Sequence, residues 1–132
     1  MLPRIVTEGY NALWAKSQPP HPLWKHLLDA AAVSLALRSP LARQGWGAEQ
    51  VALIVGLHDI GKADAGFQHQ VPEFSESLTL AGFPAIADAR CRHERLSARF
   101  VRTELTKVGI YEFVASAVGR AVSACHAAAA RV

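Results

Sequence analysis

The sequence predicts an all-α fold, and three observations carry that expectation. Alanine and leucine are abundant, apolar residues recur at helical spacing, and no stretch sustains the period-two alternation of a half-buried strand. A length of 132 residues suits a single domain, 1–132, with a core of moderate size and no need of disulfide staples.

The elements follow in order. A first helix is expected from about Pro3 to Lys16, stopped by the breaker cluster Ser17-Gln18-Pro19-Pro20. Pro22 then suits a first helical position, and Leu23, Leu27, Ala31 and Leu35 recur every four residues until Ser39-Pro40 ends the second helix. After Gly45 to Gly47, Glu49 and Gln50 open a third helix. Its centre, Val51 to Leu57, is apolar on every side, which predicts a central, buried helix. Gly56 inside it is expected to let a neighbouring helix approach closely. Gly66, Pro72, Gly82 and Pro84 predict a long irregular loop from Asp64 to about Ala89, relieved by a short helical turn near Phe67 to Gln70. Two more helices, Cys91 to Lys107 and Tyr111 to Ala129, divide at Gly109, giving about five main helices.

Composition narrows the function. Val51 to Leu57 is too short to cross a bilayer, and the amino terminus lacks a signal pattern, so a cytoplasmic chain without membrane attachment is expected. Cys91 and Cys125 lie far apart and outside any CxxC spacing, which argues for reduced thiols and against a zinc finger. The formal net charge is only +3, but the arginines and lysine between Arg90 and Lys107 outnumber Glu94 and Glu104. Within that segment Arg92, Arg95, Arg99 and Arg102 are spaced to share one helix face adjoining His93. Such a stripe suits either a nucleic-acid backbone or plain solvation.

Chemistry concentrates on histidine. His58 and Asp59 close the apolar third helix, where ionisable groups are expensive unless paired or bound to a cation. Neighbouring residues about 100° apart at a helix end can bracket one ion, although a hydrogen-bonded core pair is the plainer alternative. His26 lies on a helical strip with Ala30, Val33 and Leu37, His126 on one with Ala115, Val118, Gly119 and Val122, and His93 opens the helix between them. Each alone suits a core or capping histidine; together with His58-Asp59 they can converge inside a bundle. Mixed imidazole and carboxylate ligands suit manganese, nickel, cobalt, iron or magnesium. One such ion is expected. It would acidify a bound water for metal-assisted hydrolysis, and Lys62 on its own suits a solvated lysine at a helix end. The HDIGK spacing is not that of a P-loop.

The runs HPLWKHLLDAAAVSLAL, LHDIGKADAGFQ, RHERLSARF and SACH together resemble the HD nuclease domain of the CRISPR type I interference helicase-nuclease, from about Leu13 to His126. The resemblance implies an HD-domain helical bundle and a nuclease that cuts single-stranded DNA beside a helicase domain or subunit and an RNA-guided surveillance complex. It assigns His26, His58 and Asp59 to one metal, His93 and His126 to a second, and Asp59 and Lys62 to the catalytic chemistry. Two departures stand out. His126 is followed by Ala127-Ala128 where the family pairs histidines before a glycine, and no acidic residue follows Glu112. A domain truncated at its C-terminus would look like this. So would a degenerate HD domain kept for docking, and a phosphohydrolase of nucleotides or cyclic dinucleotides is the other enzymatic reading.

Overall fold

The computed structural model describes residues 9–37, 45–87 and 92–129, with the side chains of 125–129 outside the described set. Expectations for the chain before residue 9, for Cys91 and for the His126 side chain therefore fall outside the described residues.

The main elements are helical, as the sequence predicts. After a helical turn over 9–12 come strands β1 (Trp14–Ser17) and β2 (Pro20–Pro22), then α1 (Leu23–Ala36) and α2 (Ala48–Gly56). A 3-10 helix, Ile60–Ala63, leads to α3 (Ala65–Gln68), a second 3-10 turn Pro72–Phe74, and α4 (Ser75–Leu80); the long helices α5 (His93–Lys107) and α6 (Glu112–Ala129) complete the order. No helix among the described residues is long and apolar enough to cross a membrane.

Three expectations need correction. The first helix does not reach Lys16: the chain from Trp14 turns back on itself as an antiparallel hairpin, Lys16 facing His21 and Ser17 facing Pro20. The breaker cluster that looked like a helix stop is its turn. Alternation cannot reveal strands this short, and Trp14 is held by side-chain bonds from far along the chain. Second, the segment 64–87 is largely short helical pieces, capped at its start by Asp64, whose carboxylate accepts from the Gly66 amide at 2.8 Å. Third, α2 is not buried all round. Val51, Ala52 and Gly56 face inward, but Leu53 is 61% exposed.

Other expectations about local packing hold. A Cβ on Gly56 would lie 3.1 Å from the Ala31 Cβ and 3.3 Å from the Leu27 carbonyl, so glycine permits the tight α1–α2 crossing. Gly109 adopts φ +88 and ends α5, with the Ile110 amide donating to Leu105 O (3.0 Å) and the Gly109 amide to Thr106 O (3.1 Å). Leu13, Ala15, Leu23 and Leu78 form a buried cluster under the hairpin, flanked by Trp14, Leu27, Phe74 and Phe83.

At the seam between the Ile60–Ala63 turn and α5, Gly61 meets its neighbours more closely than any other described glycine does. A Cβ on Gly61 would collide with the His93 carbonyl and lie 2.7 Å from the Ser97 amide. Its own amide donates to the fully buried Ser97 hydroxyl at 2.8 Å. The glycine of HDIGK is thus there for close approach, and it brings the start of α5 against the turn that follows Asp59.

Candidate metal centre

The chain leaves α2 through successive tight turns, with the His58 amide donating to Val55 O, Ile60 to Leu57 O and Lys62 to Asp59 O. His58 and Asp59 therefore sit in the turn just beyond the helix, and Asp59 is only 3% exposed. Its carboxylate is the point of convergence. Oδ2 lies 2.7 Å from Lys62 Nζ, 2.9 Å from His26 Nε2 and 3.3 Å from His58 Nε2. Oδ1 lies 3.5 Å from His93 Nε2. Four separate pieces of chain contribute: α1, the turn after α2, the 3-10 helix and the first residue of α5.

Electrostatics fit this geometry. Burial pushes the Asp59 carboxyl up, but hydrogen bonds and charge from His58 and Lys62 outweigh it and hold the group far below the ordinary carboxylate range. His58 is raised, first by its hydrogen bond to Asp59 and against its own burial. His26 goes the other way, because burial outweighs its bond to the same carboxylate.

The His58 ring is oriented from behind. Nδ1 lies 2.7 Å from the Val55 carbonyl, which can only accept, so Nδ1 carries a proton. In the neutral ring Nε2 then presents a lone pair toward the anionic Asp59 oxygen. Two acceptors at 3.3 Å need a proton or a metal ion to reconcile them. A backbone carbonyl behind an imidazole is also the arrangement that orients histidine ligands.

The donor set suits a divalent ion. Atoms of His26, His58 and Asp59 lie within 4.8 Å of one another, and the separations of 2.9 and 3.3 Å from Oδ2 match the roughly 3 Å between adjacent ligands with ~2.1 Å bonds at right angles. Three protein ligands leave coordination positions for water or substrate.

The remaining predicted residues are placed differently. Lys62 is 14% exposed in its side chain; beyond Asp59, its ammonium approaches Ala15 O at 3.4 Å and lies 5.6 Å from the centre of the Phe67 ring. His93 also packs edge-on against Phe67 at 5.0 Å. Arg95, Arg99 and Arg102 are exposed on α5, and Arg92, also exposed, is the residue just before it. The expected face adjoining His93 needs correction: with about 100° per residue the three on α5 point away from the face on which His93 and Ser97 meet the turn, so that stripe runs along the outside of the helix. Arg102 Nε donates to Glu112 Oε1 at 2.7 Å, whereas Arg99 borders a cleft of about 450 Å³ with Gly61, Asp64 and Thr103. His126 lies on α6, its side chain outside the described residues.

Gln68 is the residue that sequence reasoning left unassigned. Fully buried, it accepts from the Trp14 amide (3.0 Å) and donates through Nε2 to Trp14 O (2.9 Å) and Lys62 O (2.7 Å), while its carbonyl accepts from the Trp14 indole (2.9 Å). It ties the hairpin to the backbone of Lys62. Its only sequence signal was its place in the FQ that follows HDIGK. His69, by contrast, is structural: Ser75 Oγ (3.1 Å) and Phe83 O (2.7 Å) occupy both its ring nitrogens.

A helical domain that gathers imidazoles, a buried aspartate and a lysine around the turn after an HD pair is an HD-type domain. A family model described as "Cas3, HD domain" matches residues 14–131. The chain is also 37% identical over 137 aligned residues to the "CRISPR-associated endonuclease/helicase Cas3" of Thermus thermophilus, an alignment covering 92% of this chain and 15% of that protein. The chain belongs to the Cas3 HD-domain family. It spans about 15% of the length of that relative. No solved structure gives a significant match.

Proposed function

We propose that this chain is a divalent-metal-dependent phosphodiester hydrolase, a nuclease that cuts single-stranded DNA in CRISPR interference, working with a helicase domain or subunit and an RNA-guided surveillance complex. The observation that carries the reading is the convergence of His26, His58 and Lys62 on one oxygen of buried Asp59. The name of the Thermus relative supports the nuclease and helicase setting.

In this reading His26, His58 and Asp59 hold one ion, of manganese, iron, nickel, cobalt or magnesium type. When bound, it supplies Lewis acidity and a more acidic water. His58 is kept in the correct tautomer by Val55 O. Lys62, at the same carboxylate, is within reach to offset charge building on the phosphate. His93 and His126 are the candidates for a second ion. Arg92, Arg95 and Arg99 offer a track for the DNA backbone outside the centre, with Arg102 partly engaged by Glu112. Phe67 and Gln68 pack against Lys62 on the side of the segment that follows it.

The test is cleavage of circular single-stranded DNA in manganese by the chain and by Asp59→Ala. Cutting that disappears in the variant is the expected result. Equal products from both proteins would remove Asp59 from the chemistry, and no cutting by either would favour a domain kept for docking.

A further inference from the structure

The Lys62 ammonium sits on the Asp59 oxygen that a metal would need. Its 2.7 Å contact is to Oδ2, the same oxygen faced by His26 Nε2 at 2.9 Å and His58 Nε2 at 3.3 Å. A divalent ion held by those three donors must bond to that oxygen, and a bond of ~2.1 Å places two positive charges around one atom. A carboxylate oxygen has lone pairs for both, but a dication and an ammonium so close repel strongly at a site this poor in water. Asp59 is 3% exposed, so solvent offers little screening.

Lys62 also has somewhere to go. Its Nζ lies 3.4 Å from Ala15 O on β1 and 5.6 Å from the centre of the Phe67 ring. Both are favourable surroundings for a cation released from a carboxylate, one a carbonyl acceptor and the other a π face. The backbone need not move, because Gln68 Nε2 holds Lys62 O at 2.7 Å and the Lys62 amide donates to Asp59 O at 2.9 Å. Rotation about the side-chain bonds is enough.

We infer that Lys62 is a built-in competitor for the cation site: it neutralises Asp59 when no ion is bound, weakens metal binding by the free energy of that ion pair, and is released toward Ala15 and Phe67 when an ion enters. The inference rests on the metal reading above and adds a role for Lys62 in setting metal affinity. It is separable from any contact with phosphate. It also explains why a lysine is placed one helical turn after the aspartate, where an uncharged side chain would leave the buried carboxylate only its imidazole partners in the ion-free domain.

The consequence is quantitative. If the ion pair leaves about one molecule in ten competent to bind, the apparent dissociation constant is about tenfold weaker than the intrinsic one. Manganese binding, followed by electron paramagnetic resonance or calorimetry without DNA, should therefore tighten about tenfold in Lys62→Met, a change that keeps the length of the side chain and removes the charge. Asp59→Asn in either background should abolish the site. A Lys62→Met protein that binds manganese equally or more weakly overturns the inference while leaving the metal reading standing. Absence of binding in both proteins overturns both.

A second measurement covers the case in which Lys62→Met does not fold. In the unaltered chain with labelled lysine, titration with diamagnetic magnesium should shift the Lys62 side-chain resonances in step with saturation of the site. Resonances that stay fixed as the site fills would show that Lys62 never leaves Asp59, and the inference would fail.

Discussion

Two sides of the Asp59 cluster are built in opposite ways. On one side the Ile60–Ala63 turn presses against α5 so closely that Gly61 has no room for a Cβ, and Ser97 and Gln68 spend every polar atom on the backbone around it. On the other side α1, α2 and α6 diverge around an open apolar groove of about 1120 Å³, with Val33, Ile54, Val118 and Val122 on its walls and His26 and His58 at its polar end. Asp59, Lys62 and His93 are thus held by the tight seam, whereas His26 and His58 stand at the edge of the loose side. Precision in the centre is therefore set from the seam. The apolar character of α2 reflects a buried face at Val51 and Ala52 together with a groove wall at Ile54 and Val55.

The sharpest way to break this contrast is to put the same methyl group on both sides. Gly61→Ala forces the turn off α5 and should destabilise the domain by about 4 kcal/mol in urea unfolding, whereas Gly56→Ala meets a contact of 3.1 Å and should lose about 1 kcal/mol. Similar losses at the two glycines would mean that the seam is no tighter than an ordinary helix crossing. Next in size, Gln68→Leu strands the Trp14 amide and carbonyl in the interior, an expected loss of about 3 kcal/mol. A neutral result would show that the hairpin does not depend on that amide.

A smaller effect reads the centre itself through pH. His58 has its pKa raised above 6.5 in the fold, so its contribution is complete below that value and is lost as pH rises through the folded pKa. His26, lowered by burial, acts in the opposite sense, so total stability is the wrong observable. The difference between the ion-free chain and His58→Gln should shrink as pH rises from about 6 to about 8. A difference that is flat over this window would remove the His58–Asp59 interaction from the ion-free fold. The smallest change is expected at the solvent face of α2: Leu53→Gln, at a residue 61% exposed, should alter stability by less than about 0.5 kcal/mol. A loss of several times that amount would mean that this exposed face of α2 is covered in solution.

The sequence was informative where a residue's surroundings lie on its own helix, and silent where they come from elsewhere. The four-residue recurrence from Leu23 marked α1, and Gly109 marked the end of α5 through its own backbone conformation. His58 and Asp59 were legible as a costly polar pair after an apolar run. The hairpin was not, because Trp14–Ser17 is stabilised by Gln68, fifty-four positions from Trp14. Ser97 looked like any helical serine until Gly61 was brought against it. Histidine shows the limit most plainly. His69 and His58 have the same chemistry, yet one has both nitrogens consumed by Ser75 and Phe83 and the other keeps Nε2 toward Asp59. Only tertiary packing separates them. The arginine spacing suggested one face adjoining His93, whereas Arg95, Arg99 and Arg102 lie on the outer side of α5 and Arg92 precedes its first residue.

The central claim is that His26, His58 and Asp59 hold one divalent ion, and manganese binding to single variants tests it most directly. His26→Ala, His58→Ala and Asp59→Ala should each lose the ion, while His69→Gln, altered at a structural histidine, should keep it with affinity close to that of the parent chain. Undiminished manganese binding by all three of the first variants would contradict the account.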